Sequence, residues 1–228
     1  MHRHDEPTVV HTPPLRTTSR CEDTRRRNTG PEDGYGGDVP LLPLPSATPR
    51  KILPAWVLRF DRRAASKINS VRGVPVIDRN LSRLSHTADH GLLWVAVAGG
   101  LALAGQRRAA VRGALSLGFA SAMANIVGKR LFGGNRPLID DVPIERRLRS
   151  QPLSASFPSG HAACAAGFVT GVGLESPRAA VALVPLAATV SWSRLHVGAH
   201  WTSDVVGGLI IGTGVALLGK AAVPAHRR

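Results

Sequence analysis

Residues 158–174 read PSGHAACAAGFVTGVGL, a proline-serine-glycine run and a histidine followed by thirteen residues without a charge. Pro-Ser-Gly is turn chemistry, and a helix starting after it would present free backbone N–H groups with His161 at its mouth. Such a helix start is suited to an anion. Taken alone, the same residues also fit a simpler reading in which Ser159 caps a helix. Four more stretches resemble the apolar run: Gly91–Gly105, Gly113–Gly128, Ala179–Trp192 and Val205–Gly219, and none of the five holds Lys, Arg, Asp or Glu. Each is shorter than the roughly 20 residues that span a bilayer comfortably, a length also found in buried helices of soluble bundles. Five in succession, rich in Gly and Ala that let helices approach closely, favour a membrane bundle. No strand or hairpin signal interrupts them. The expected fold is all-α, a transmembrane bundle of about five spans over residues 90–220.

The chain before this region has a different composition. Residues 1–50 hold eight of the 17 prolines and the run Arg25-Arg26-Arg27, without apolar periodicity, and are expected to be a disordered basic tail. They lack the apolar core of a cleavable signal peptide. Residues 51–89 read as amphipathic helices, with Leu53, Trp56, Val57, Phe60, Ala64 and Ile68 on one helical face and Ile77, Leu81, Leu84 and Ala88 on a second, a pattern that suits a membrane interface and comparably suits packing against the chain's own domain. Residues 221–228 form a short basic tail. The net charge of +14 raises the question of nucleic acid, yet only 4% of residues are aromatic and the basic residues beyond 90 form no stripe or nucleic-acid motif. The expected partners are a membrane and an anionic substrate, without nucleic acid. Cys21 and Cys164 form neither a disulfide framework nor a metal motif, and Cys164 reads as a small buried hydrophobe. Lys and Arg near the membrane balance across the two sides once candidate phosphate ligands are set aside, so charge does not orient the bundle.

Two loops on one side of that bundle carry further chemistry. Lys129, Arg136 and Pro137 form K-x6-R-P, and Ser193, Arg194, His200 and Asp204 form S-R-x5-H-x3-D, with Pro158-Ser159-Gly160-His161 between them. Singly, each has a structural explanation: a snorkelling lysine, a loop arginine, an acid at a helix start. As one ordered pattern, eleven specified residues at about one in twenty each put chance on the order of 10⁻¹⁴ per placement.

The three motifs resemble the signature of the type 2 phosphatidic acid phosphatase superfamily, which includes membrane lipid phosphate phosphatases, bacterial acid phosphatases and vanadium-dependent haloperoxidases. The resemblance covers residues 85–220 and matches every specified position. It implies His200 as nucleophile, Asp204 as its partner, His161 as acid/base, and Lys129, Arg136, Ser159, Gly160 and Arg194 as phosphate ligands. Membrane members often have six spans, where five are counted here.

The chemistry of these residue types agrees. Phosphoryl transfer is mostly positioning and charge stabilisation, for which three cations and the N–H groups around Ser159 and Gly160 are suited. A planar guanidinium can donate two bonds to one phosphate. Asp204, four residues after His200, is placed to orient its ring and stabilise the cation formed on attack. His161 would protonate the leaving oxygen and then take a proton from the hydrolytic water. His196 reads as structural. The acids of residues 90–228, Asp140, Asp141, Glu145, Glu175 and Asp204, suggest no two-metal site, so metal independence and no cofactor are expected.

The resulting expectation is an integral membrane phosphatase of a phosphatidate-like monoester, with a polyprenyl diphosphate as the alternative. A haloperoxidase-like vanadate-binding protein is the reading from another class. By resemblance, the enzyme sits in the plasma membrane with its site facing away from the cytoplasm. Oligomeric state is not legible.

Overall fold

The computed structural model describes residues 53–71, 73–137, 142–148 and 154–222. The expectations for residues 1–50 and for the end beyond 222 lie outside these. Among the described residues every regular element is helical, and each expected apolar stretch forms a helix. Helix α3 (Leu92–Leu103) follows Gly91, whose φ of +76° suits glycine. Helix α4 (Arg107–Ala122) passes through a π-helical segment, Met123–Gly128, into α5 (Lys129–Phe132). Ser159 begins α6 (Gly160–Gly173), Pro177 begins α7 (Pro177–His196), and α8 (Thr202–Ala222) follows a short loop.

Helix α4 starts six residues before its apolar stretch, and Arg112 in its first turns pairs with Glu175, whose carboxylate lies 2.6 Å away. Two segments, Arg107–Phe132 and Thr202–Lys220, are long and apolar enough to cross a membrane, while α3 is apolar but short. The sequence pattern anticipated five spans; the structure supplies five helices at those places, of which these two meet both criteria.

Helix α6 packs between α4, α7 and α8. Its contact with α8 depends on two glycines one turn apart, a small-residue spacing that brings helix backbones together. A Cβ on Gly208 would sit 2.4 Å from the Ser159 carbonyl oxygen, and one on Gly212 would sit 2.2 Å from that of Ala163. On another side of α6, the Phe168 ring packs against Trp94 of α3 at a centroid distance of 5.0 Å, within a cluster including Val172 and Val190. Cys164, expected to be buried, is half-buried and free.

Helices α1 (Ala55–Ser70) and α2 (Pro75–Thr87) attach to the bundle through polar residues. Asp61, 1% exposed, accepts hydrogen bonds from Ser203 N (2.9 Å) and Ser203 Oγ (2.6 Å) at the start of α8. Asp78 of α2 faces His196 Nε2 at 2.7 Å and accepts from Arg146 Nε at 3.2 Å. Arg146, itself buried, also donates to the carbonyls of Ile68 and Val71. On the anticipated apolar faces, Leu53, Val57, Ala64, Ile68, Leu81 and Leu84 are half-buried and Ala88 is buried. Trp56 and Phe60 stay 65% and 55% exposed, and Ile77 is exposed as well.

Candidate active site

The three motifs converge at one end of the bundle. Lys129 follows the π-helical segment, an irregularity common at functional sites because it changes where the next side chains face. Gly133 and Gly134 have φ of +63° and +111°, which turns the chain, and their carbonyls accept from Phe157 N (3.2 Å) and Ser156 N (2.9 Å). This short pairing lays the second motif beside the first. Ser159 N then donates to the Asp204 carbonyl at 2.9 Å, bringing in the third motif. Ser159 Oγ accepts from Ala162 N at 3.5 Å, so the capping reading holds geometrically alongside any anion role. Gly160 lies against Asn125 of the π-helical segment, whose side-chain atoms would be 2.7–3.2 Å from an added Cβ.

The cations are held by neighbouring oxygens. Arg136 donates from Nε to the Ser154 carbonyl (3.2 Å), from Nη1 to the Ala199 carbonyl (2.5 Å) and from Nη2 to Ser154 Oγ (3.3 Å). Lys129 Nζ donates to the same Ser154 Oγ at 3.1 Å. Arg194 is buried, and its Nη1 donates to Ser85 Oγ of α2. Burial, followed by the field of Arg194, pulls the Arg136 guanidinium down to about 10, which leaves it charged at neutral pH.

His200 is buried in the loop between α7 and α8, with its N–H bonded to the Arg194 carbonyl at 3.2 Å. Its Nδ1 stands 3.5 Å from Asp204 Oδ2. That oxygen also accepts from Ser156 Oγ (2.5 Å) and Trp201 N (2.8 Å), which fix the fully buried carboxylate. Burial, then the fields of Arg136, Arg194, His161 and Lys129, depress the His200 ring well below its ordinary value of 6.5. A neutral imidazole has a ring nitrogen free for nucleophilic chemistry, and the three cations beside it suit an anion.

His161 opens α6 and places Nε2 2.9 Å from Oδ1 of Asp89, in the 3-10 turn Asp89–Gly91 after α2. Lys129, Arg136, Ser159, Gly160, His161, Arg194, His200 and Asp204 are thus gathered in one region, whereas Ser193 bonds the Val190 carbonyl of its own helix. His196 lies in the Asp78–Arg146 cluster. Sequence reasoning missed Ser85 and Asp89; their four-residue spacing fits one helical face, while the structure puts Asp89 in the 3-10 turn just after α2. Among the described residues, no three His, Cys, Asp or Glu side chains gather as metal ligands.

A family profile described as PAP2 superfamily matches residues 109–228. A lipid A 1-phosphatase of Rhizobium johnstonii is 35% identical over 105 residues, 44% of this chain and 42% of that protein. A decaprenylphosphoryl-5-phosphoribose phosphatase of Mycolicibacterium smegmatis is 34% identical over 144 residues, 61% of this chain and 75% of that protein. The chain spans less than half the length of the first curated relatives it matches. The solved transmembrane PAP2-type phosphatidylglycerolphosphate phosphatase of Bacillus subtilis superposes with a TM-score of 0.60 at 20% identity, covering 77% of this chain and 92% of that one, a likeness of fold.

Proposed function

The chain belongs to the PAP2 superfamily, and from that footing we propose that it is an integral membrane phosphatase acting on a lipid phosphate through a phosphohistidine intermediate. The observation that carries the reading is the buried His200, set against Asp204 at 3.5 Å and within the fields of Lys129, Arg136 and Arg194. In the first step the His200 Nε2–P bond forms, the P–O ester bond breaks, and His161 gives its proton to the leaving oxygen. Asp204 orients the ring through Nδ1 and stabilises its positive charge. In the second step His161 takes a proton from water, the resulting hydroxide attacks phosphorus, and the N–P bond breaks to release phosphate. Lys129, Arg136, Arg194, the Ser159 hydroxyl and the Gly160 N–H hold the equatorial oxygens throughout, the Ser159 N–H being bound to the Asp204 carbonyl. All of these steps run on side chains of this protein, in keeping with a metal-independent reaction.

Residues 90–220 form the membrane phosphatase domain in this reading, with α1 and α2 at the interface, where exposed Trp56 and Phe60 suit a lipid boundary. The plasma membrane and an extracytoplasmic site belong to the same proposal. A phosphatidate-like monoester is the leading substrate. Polyprenyl phosphates and diphosphates form the second reading, favoured by the match to the decaprenyl-linked phosphatase, of which this chain covers 75%.

The test is phosphate release by detergent-purified protein, with chelator present, from phosphatidate and from polyprenyl mono- and diphosphates. Wild type is expected to act on at least one class, and folded His200→Ala to lose at least about 100-fold. Near wild-type release by that variant would remove the mechanism. Loss of wild-type activity in chelator, restored by Mg²⁺, would remove metal independence.

A further inference from the structure

Helix α2 and the turn after it reach into the site through two residues four apart. Ser85 accepts from Arg194 Nη1, and Asp89 places Oδ1 2.9 Å from His161 Nε2. The other carboxylate oxygen of Asp89 lies 3.1 Å from Nδ1 of His86, a side chain 86% exposed, so the carboxylate is oriented between a solvent-facing histidine and a site histidine.

The chemistry of the pocket explains why a carboxylate is needed there. A general acid must keep its proton until the leaving oxygen takes it, and nearby positive charge opposes this. The groups whose fields reach His161 are Lys129 after the π-helical segment, Arg194 on α7, His200 in the following loop and Asp89 itself. Asp204 is turned away from this task, since its Oδ2 receives Ser156 and Trp201 and faces His200. Asp89 is therefore the carboxylate directed at His161 among the described residues. Burial raises the Asp89 carboxyl, yet its close contacts with the His161 and His86 rings, with the fields of His161 and Arg194, outweigh it and hold the group at about 2. It is an anion throughout the working range.

We propose that Asp89 is a positioning residue for phosphoryl transfer, holding the His161 ring through Nε2 and providing the counter-charge that keeps His161 protonated until the ester oxygen departs. The proposal rests on the phosphatase reading above and extends it to a residue outside the three motifs. Asp89 itself neither gains nor loses a proton in the step, because the Nε2 proton of His161 stays facing Asp89 and the proton that passes to the leaving oxygen is the one on Nδ1.

Loss of a general acid is felt most by a leaving group that needs a proton. The experiment measures kcat/KM, which reports expulsion of the leaving group, for dioctanoyl phosphatidate and for p-nitrophenyl phosphate, in wild type, Asp89→Asn and Asp89→Glu. General acid catalysis contributes about 10²–10⁴-fold, and loss of its support should cost at least about 10-fold on the phosphatidate. The nitrophenolate leaves without help, so the loss there should be under about 3-fold. The alkaline limb of the phosphatidate profile should move to lower pH in Asp89→Asn, and Asp89→Glu should restore part of the rate. Vanadate inhibition retained by Asp89→Asn would support the inference by showing the anion pocket intact. A wild type silent on both substrates and on polyprenyl mono- and diphosphates would refute the phosphatase reading and this inference with it; where only a polyprenyl substrate is turned over, it takes the place of phosphatidate in the comparison. An active wild type whose Asp89→Asn variant falls equally on both substrates, or on neither, would overturn the inference alone.

Discussion

A methyl group added at Gly208 tests whether the α6–α8 crossing sets the geometry of the phosphate cradle. In Gly208→Ala the new Cβ would lie 2.4 Å from the Ser159 carbonyl oxygen and 3.0 Å from Ala162 Cβ, with backbone on the receiving side. Since Cβ contacts under 3.0 Å are essentially unseen, the two backbones must part by at least about 0.6 Å. Overpacking of this kind costs about 1–3 kcal/mol. The displaced residues begin at Ser159, whose N–H bonds the Asp204 carbonyl, so the second and third motifs separate. A shift of about 1 Å in a catalytic constellation can cost about 10²-fold in rate, and half of that should cost roughly 10-fold in kcat/KM. Gly212→Ala places its Cβ 2.2 Å from the Ala163 carbonyl oxygen, one turn farther from the site, and should destabilise comparably while reducing the rate less. Gly214→Ala is the internal control: nothing lies within 4 Å of its Cβ, and helix propensity alone should leave stability equal or up to about 1 kcal/mol higher. Thermal unfolding in detergent and phosphate release read the two effects separately. If Gly208→Ala matched Gly214→Ala in both, the close crossing would not control the site.

Arg146→Met should be strongly destabilising, by about 3–5 kcal/mol, because it strips the buried Asp78 of a cation and leaves the Ile68 and Val71 carbonyls without their donor. Proteolysis in the α1–α2 region should accelerate, and Asp78→Asn added to Arg146→Met should cost less than the two separate losses combined. Arg194→Lys retains charge but loses the planar fork and the bond to Ser85, so kcat/KM on phosphatidate should fall at least about 10-fold; an unchanged rate would remove bidentate phosphate binding from the mechanism. His200 contributes a pH dependence of stability. Its folded value lies well below 6.5, so the unfolded chain binds the proton more readily, and stability present above pH 6.5 is lost as pH falls toward the folded value. A thermal midpoint followed from pH 7.5 to 5 should decline, and the decline should be shallower in His200→Gln.

The helices and the motif residues were legible for one reason: each leaves a signature in residue type and spacing. Charge-free runs marked α3, α4, α6, α7 and α8, and polar residues at fixed intervals marked Lys129, Arg136, His161, Arg194, His200 and Asp204. The charge-free run marks only the apolar part of α4, and the pairing of Arg112 with Glu175 at 2.6 Å, on the turn after α6, is a tertiary fact. The attachment of α1 and α2 was illegible for a related reason. Their periodicity was read from apolar positions, and burial of Asp61 and Asp78 depends on partners over 60 residues away in sequence. Ser85 and Asp89 look like ordinary surface positions of an amphipathic helix until Arg194 and His161 are placed beside them.

The mixed burial of α1 and α2 bears on what surrounds the protein. In a soluble domain, an amphipathic helix turns its apolar stripe inward and leaves its polar residues to water. Here Asp61, Asp78 and Ser85 are buried beside a half-buried apolar stripe, while Trp56, Phe60, Val76 and Ile77 are exposed among basic residues. An arrangement that buries carboxylates and exposes tryptophan is unfavourable in water but suits a boundary where the exposed face meets lipid. It also gives α2 a reason to lie at the rim of the site. Anchored by its outer face to the membrane surface and by Asp78, Ser85 and the following Asp89 to the bundle, it would position the counter-charge for His161 at the depth where a lipid phosphate enters. Substituting Trp56 and Phe60 by serine should therefore weaken vesicle association or lipid-substrate turnover while leaving p-nitrophenyl phosphate hydrolysis in detergent intact. Equal loss on both substrates would mean that α1 supports the fold and not the interface.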